Sequence, residues 1–366
     1  MKVRNGDGGE FPVTPLCKPH ETWKKNIPRP QFKFIMLTLG VDTSCDDTSL
    51  ALLDDGRVVV NLSANQDEFH ARFGGVVPEI CARKHLEIFL PMFDHLLHSA
   101  GIAPADIDLV AATLGPGLIG GLLVGATFAN ILAGTLRKPV LGIHHLEGHI
   151  FSTALESAPL PERYIALIIS GGHTRLFAVE GQFHYTELGA TRDDAAGELI
   201  DKTGRLLGFT YPGGKTMDET AMAFAGDPVE FPRPLMKNDS YEFSFSGLKT
   251  AVLYYLRDAG TERADTGAVA KGIMASLADV LTVKSFRACK ERGFDTLTVC
   301  GGVSASLFIR DVFMREGKRM GIDVRFPKMP YTTDNAAMIA AAGYARFQAG
   351  LITGEPIDCK AAVGLR

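Results

Sequence analysis

From Met36 onward, short runs of β-branched and aliphatic residues alternate with longer segments whose apolar positions recur every three or four residues. That alternation predicts strands interleaved with helices, an α/β layered fold. Residues 37–41, 49–53 and 58–63 read as three successive strands, the last two joined at Asp54-Asp55-Gly56, a hairpin signal. Pro78–Ala100 reads as an amphipathic helix with Ile80, Leu86, Phe89, Leu90, Phe93 and Leu97 on one side. Strands at 108–113 and 139–143 bracket a helix at 118–136. A second cycle opens at Tyr164, with strands at 165–170, 175–179 and 183–188. Leu39-Gly40-Val41-Asp42-Thr43-Ser44 and the Thr48 run after it parallel Leu167-Ile168-Ile169-Ser170-Gly171-Gly172 and the Thr174 run after it. A hairpin turn made of Asp, Ser, Thr and Gly offers backbone N–H groups to a phosphate. Two such hairpins facing one another would clamp a nucleotide between related domains.

Composition narrows the class. The chain has 366 residues, long enough for two domains, and is 46% hydrophobic and 22% charged, which excludes a disordered, collagenous or disulfide-scaffold protein. Net charge is −4, so a nucleic-acid partner would have to be met by a local patch. Residues 1–36 are the basic exception, with seven Lys or Arg against three Asp or Glu, and 1–33 carry no apolar period. Residues 1–36 are therefore expected to be a disordered extension, with Met36 a candidate initiator and a basic arm that contacts nucleic-acid phosphates the alternative. Six cysteines without a C-x-x-C pair point to a reduced, cytoplasmic protein. Residues 109–136 contain no charge, yet Gly115-Pro116-Gly117, Asn130, Gly120, Gly121 and Gly125 favour a buried, closely packed helix over a membrane span.

The densest cluster of possible ligands is His144-His145-Leu146-Glu147-Gly148-His149. His145 and His149 are four apart, so on a helix their imidazoles share a face and can share a metal. Asp334, before the helix pattern that begins at Asn335-Ala336-Ala337, is the credible third donor, and a plain helix cap is the alternative use of that Asp. Glu147 lies two residues after His145, about 200° around a helix, whereas a zincin needs the glutamate directly after the first histidine. Peptide hydrolysis is disfavoured. Gly301-Gly302-Val303-Ser304-Ala305-Ser306 follows a strand and opens a helix, which lets an anionic or flat ligand approach the backbone.

Taken in order, these segments resemble one family, the tRNA N6-adenosine threonylcarbamoyltransferases of the bacterial TsaD type, once labelled O-sialoglycoprotein endopeptidases. The resemblance runs from about Leu37 to Ala349. Its markers here are Gly40-Val41-Asp42-Thr43-Ser44-Cys45-Asp46, Gly74-Gly75-Val76-Val77-Pro78-Glu79, Gly115-Pro116-Gly117-Leu118, His145-x-Glu147-Gly148-His149 and Ser170-Gly171-Gly172-His173-Thr174. Asp193-Asp194-Ala195-Ala196-Gly197-Glu198, Tyr211-Pro212-Gly213-Gly214, Phe243-Ser244-Phe245-Ser246-Gly247-Leu248-Lys249-Thr250 and Thr333-Asp334-Asn335 complete the set.

The resemblance implies an actin/Hsp70-like (ASKHA) duplicated α/β fold with an interdomain cleft. The first domain is expected at 37–160 plus 335–366 and the second at 161–334. It implies a divalent metal, Fe2+ or Zn2+, on His145, His149 and Asp334. It implies adenylate contacts from Ile168, Ile169, Ser170, Gly171, Gly172, Asp201, Gly214, Asp218 and Ser306. The implied substrate is threonylcarbamoyl-AMP, and the acceptor is N6 of the adenosine 3′ to the anticodon in tRNAs reading A-starting codons. Implied partners are a paralogous TsaB-type pseudo-enzyme, docking through helices 78–100 and 118–136, and a small TsaE-type ATPase; no membrane is implied. Ser306 stands where many members have Asn, and Asp47 where the opening turn usually has Glu. An ATPase of the same fold, or a non-catalytic scaffold, is the alternative; a metallopeptidase ranks last.

Overall fold

Each half of the chain builds its own sheet on the same plan, three antiparallel strands extended by two parallel ones. The computed structural model describes residues 2–4, 10–12, 14–15, 35–66, 69–70, 76–181, 183–260, 264–352 and 354–365. Most of the basic stretch before Met36, and the Gly74-Gly75 pair, lie outside the described residues. Within that stretch β1 (Lys2–Arg4) pairs with β2 (Glu10–Pro12). β3 (Thr14–Pro15) pairs with residues 62 and 63, so regular structure occurs where the sequence suggested none.

β4 (Leu37–Asp42), β5 (Thr48–Asp54) and β6 (Arg57–Ala64) form an antiparallel meander. After α1 (Pro78–Ala100), β7 (Leu109–Gly115) runs parallel to β4. After α2 (Ile119–Leu136), β8 (Val140–His144) runs parallel to β7 and leads directly into α3 (His145–Ser152). The second half repeats the order. β9 (Arg163–Ile169), β10 (Thr174–Glu180) and β11 (His184–Ala190) form the meander. The helices α4 (Ala196–Leu206), α5 (Gly214–Ala223), α6 (Ser246–Ala259) and α7 (Thr266–Arg292) then precede β12 (Thr296–Cys300), which is parallel to β9. α8 (Leu307–Met320) leads to β13 (Asp323–Arg325), parallel to β12. Strand order is β3-β6-β5-β4-β7-β8 in one sheet and β11-β10-β9-β12-β13 in the other.

Two compact units result: 1–158 with 334–365, and 159–333. The first is completed by α9 (Ala336–Gln348), which packs on β4, β5 and β7 and against α3. Alternation along β4 decides the layers. Leu39 and Val41 join a core with Ile88, Phe89, Met92 and Leu96 of α1, whereas Gly40 faces α9. A Cβ on Gly40 would lie 2.2 Å from the Ala336 carbonyl oxygen, so the helix reaches the strand only because that side chain is missing. In the second unit α7 is buried through most of its length between α4, α5 and α8 and the sheet.

The expected face of α1 needs correcting, and the face of α2 is set by packing alone. On α1 the buried side is Cys81, His85, Ile88, Phe89, Met92, Phe93, Leu96 and Leu97, while Leu86 and Leu90 are each 65% exposed. On α2 the buried line is Gly121, Leu122, Gly125, Ala126, Ala129 and Ala133, and Ile119, Leu123 and Ile131 face outward. Glycines make the close approach: a Cβ at Gly121 would meet the Thr43 carbonyl oxygen at 2.4 Å. α2 and α7 are both long and apolar enough to cross a membrane by length and composition, and only a third of α2 is buried.

Candidate metal centre

The strand-to-helix junction at the end of β8 sets the histidines. His144 caps α3: its Nδ1 accepts from the Leu146 N–H at 3.2 Å, which leaves Nε2 to donate to the Val363 carbonyl at 3.1 Å. His145 and His149 follow one turn apart, with ring centroids 4.7 Å apart. Asp334 enters from the far end of the chain, just before α9. Its Oδ1 lies 3.6 Å from His145 Nε2 and 3.2 Å from His149 Nε2. The three ligand atoms fall within 4.8 Å of one another, so His145, His149 and Asp334 can hold one ion.

The surroundings fit that use. His149 is fully buried, and among the described residues neither of its ring nitrogens makes a hydrogen bond, the Asp334 carboxylate being the one group set against Nε2. A buried, unsatisfied imidazole is costly unless something else occupies its lone pair. His145 is held from behind. Ser44 Oγ lies 3.2 Å, and Asp42 Oδ2 3.7 Å, from its Nδ1. A carboxylate or hydroxyl on one ring nitrogen orients the other toward a metal. The other oxygen of Asp42, Oδ1, accepts from the Ser44 N–H at 3.1 Å and from Thr113 Oγ1 at 2.8 Å. Burial holds the Asp42 carboxyl above its ordinary range, against the pull of His145 and aided by the charge of Asp334.

Glu147 is fully buried on α3, and its carboxylate receives Arg346 of α9, with Nε at 3.0 and 2.9 Å from its two oxygens and Nη2 at 2.9 Å. A carboxylate committed to a guanidinium is not placed as a general base, which removes the geometric ground for peptide hydrolysis. Nothing in the sequence pointed to Arg346, since its partner lies 199 positions away.

The residues that the resemblance assigns to the adenylate lie in the second unit. Ile168 and Ile169 end β9, which pairs with β12 in register Ile168↔Cys300. The turns Ser170-Gly171-Gly172 and Gly301-Gly302 therefore leave the carboxyl ends of adjacent parallel strands, a common position for ligands in α/β sheets. The Ser170 N–H bonds the His173 carbonyl, the Gly197 N–H bonds the Ser170 carbonyl, and the Ala196 N–H bonds Thr174 Oγ1, which fixes the start of α4 beside this turn. Asp201 Oδ1 accepts from the Gly213 N–H at 2.9 Å and so orients the loop before Gly214, the first residue of α5. Asp218 accepts the Leu307 and Phe308 N–H groups at 2.9 and 3.1 Å and bonds Ser306 Oγ.

Ser306 also caps α8 by accepting from the Ile309 N–H at 3.1 Å. Ser306→Ala is expected to cost about 1 kcal/mol, whereas Ser306→Asn stays within a few tenths because Asn caps as well as Ser. Thermal denaturation of the two variants measures this. The other departure, Asp47, accepts from Asn65 Nδ2 at 2.9 Å. Sequence motifs that are far apart also meet here. Asp193 accepts from Ser244 Oγ, Ser246 Oγ and the Phe245 and Ser246 N–H groups, at 2.6 to 3.2 Å. Partial burial alone would raise its carboxyl, but these hydrogen bonds win and hold it below the usual range.

A three-strand antiparallel meander extended by two parallel strands and layered with helices, occurring twice in one chain, is the actin-like class of α/β protein, here with a His-His-Asp centre in its first unit. In agreement, the chain superposes on T. kodakarensis HypF with a TM-score of 0.59 at 14% identity, covering 90% of this chain and 50% of HypF, a likeness of fold alone. Residues 57–341 match the profile of TsaD, tRNA N6-adenosine threonylcarbamoyltransferase. The chain is 47% identical over 315 residues to a protein of that name from Thermus thermophilus, covering 86% of this chain and 94% of that one. It is 41% identical over 323 residues to the one from Thermosipho africanus, covering 88% and 98%. The chain belongs to the TsaD family, transferases that act on tRNA.

Proposed function

We propose that this protein transfers the threonylcarbamoyl group of threonylcarbamoyl-AMP to N6 of the adenosine 3′ to the anticodon in tRNAs reading A-starting codons. The observation that carries the reading is the convergence of His145, His149 and Asp334 at the buried ring of His149, whose nitrogens make no hydrogen bond among the described residues. The three would hold Fe2+, or Zn2+ in its place. A bound divalent ion supplies an electrophile that polarises a carbonyl oxygen and orients the group being transferred. N6 attacks the carbamoyl carbon, the bond from that carbon to the phosphate oxygen breaks with its electron pair leaving on AMP, and the N6 proton passes to solvent. No covalent enzyme intermediate is needed, because AMP is a good leaving group.

The chain's own part is to position the adenylate. Ile168, Ile169, Ser170, Gly171, Gly172, Asp201, Gly214, Asp218 and Ser306 are the proposed contacts. One feature supports a ligand there. Gly171, Gly172, Gly214 and Gly302 have no positive φ, and a Cβ on any of them would meet nothing within 4 Å. The fold itself does not require glycine at these positions, whereas a ligand lying against the backbone does. Turn N–H groups and the start of α5 would then face the phosphate.

A TsaB-type paralogue is proposed to dock on the apolar outer face of α1 and α2, formed by Leu86, Leu90, Ile119, Leu123 and Ile131, and a TsaE-type ATPase to reset the cycle in the cytoplasm. Leu90→Arg and Leu123→Arg should each abolish co-elution with the paralogue while leaving the melting temperature unchanged. Leu122→Arg, by contrast, should unfold the unit, because Leu122 is buried. The activity is tested by nucleoside mass spectrometry on unmodified tRNA incubated with the protein, its partners, threonine, bicarbonate and ATP. Threonylcarbamoyladenosine is expected. ATP turnover that ignores tRNA, with no modified nucleoside, would favour an ATPase of this fold.

A further inference from the structure

The geometry assigns His85 of α1 as a positioning residue for the metal ligand His145, acting through the turn 42–45. The inference rests on the reading that His145, His149 and Asp334 bind a metal. Each residue of that turn is tied down separately. Asp42 takes Thr113 Oγ1, Thr43 Oγ1 donates to the Gly121 carbonyl at 2.8 Å, and the Ser44 carbonyl accepts from the Leu118 N–H at 2.8 Å. The Cys45 carbonyl is held from α1, by His85 Nε2 at 2.9 Å and Cys81 Sγ at 2.7 Å.

The tautomer of His85 follows from its neighbours. A carbonyl only accepts, so Nε2 carries the proton. On the other side Nδ1 faces Thr48 Oγ1 at 2.7 Å and the Gln66 amide nitrogen at 3.5 Å, and an amide nitrogen only donates. His85 is thus a neutral bridge between Thr48, at the start of β5, and Cys45. Burial keeps it neutral by lowering its pKa, and pushes the Cys81 thiol up to about 12, so that Cys81 also stays a donor.

Ser44 and Asp42, the residues behind His145 Nδ1, belong to the turn that His85 anchors. Partners on the far nitrogen of a ligating histidine set its orientation, and losing such a partner typically costs 10- to 100-fold in metal affinity. His85 sits one step further out, on a different helix from either histidine ligand.

The test measures Zn2+ affinity of the full-length protein by competition with a chromogenic chelator. His85→Leu is expected to weaken Zn2+ binding about tenfold or more. His85→Gln, which can still donate to the Cys45 carbonyl and accept from Thr48, should stay within about threefold of the parent. Thr48→Val, a nearly isosteric change that removes the bond to Nδ1, should fall between them and guards against a His85→Leu chain that does not fold. In the metal-free protein, the amides of 44 and 45 should exchange faster in His85→Leu than in His85→Gln. Parental Zn2+ affinity in Thr48→Val and in folded His85→Leu would overturn the assignment. So would equal losses in His85→Leu and His85→Gln. If the parent and His149→Ala bind Zn2+ equally, it is the metal reading itself that fails.

Discussion

A His149→Ala chain is expected to fold, to hold metal at least a hundredfold more weakly than the parent, and to make no detectable threonylcarbamoyladenosine. The first part follows from the ring's surroundings. Neither ring nitrogen of His149 makes a hydrogen bond among the described residues, so truncating the side chain breaks none and costs only the packing of the ring and its approach to Asp334. The second follows from comparison: losing a partner behind a ligand already costs up to about a hundredfold, so losing the ligand costs at least that much. Thermal melts with and without metal check both parts. A ligand present at a hundred times its Kd stabilises by about 2.7 kcal/mol, which for a unit of this size is a shift of roughly 5–10 °C. The parent should show that shift and His149→Ala should not. A shift of equal size in both would remove His149 from the ligand set.

Arg346→Ala should be among the most destabilising single changes in the first unit, although it touches no ligand. It withdraws the guanidinium from a carboxylate with no exposed surface, and breaking a buried ion pair from one side costs about 3–5 kcal/mol. The melting temperature should fall by about 10 °C. Glu147→Gln, which removes the charge and keeps the shape, should lose less. The double change Glu147→Leu with Arg346→Met should recover much of the loss, as replacing a buried pair with apolar residues of similar volume commonly does. Parental stability in Arg346→Ala would show that Glu147 is satisfied without it.

The site was legible where chemistry repeats at short range. Two histidines four apart and an Asp ahead of a helix can be read within windows of ten or so residues, and each three-strand opening within fewer than thirty. What stayed hidden was set by contacts across the chain. α2 has no charge between its ends, so its polar pattern gives no orientation, and only the packing of Gly121 and Gly125 on Thr43 turns Leu122 inward and Leu123 outward. α1 misled for the opposite reason. His85 and Cys81 do not belong to the apolar pattern, yet they occupy the inner face, where both meet the Cys45 carbonyl, and Leu86 and Leu90 lie outward.

The division of the chain also sets a timetable. The first unit is interrupted after Ala158 and resumes only at Asp334, with the whole second unit between. During synthesis at about 5–20 residues per second, roughly ten to forty seconds pass between the emergence of His149 and that of Asp334. Throughout that interval β4, β5 and β7 lack α9, so the face that Gly40 presents has nothing to close against. The nascent chain meanwhile offers an ion two imidazoles and no carboxylate from Asp334. The segment begun first is therefore finished last, and a ribosome that stalls anywhere between 159 and 333 releases a second unit in some stage of completion beside a first unit with neither its covering helix nor its third ligand.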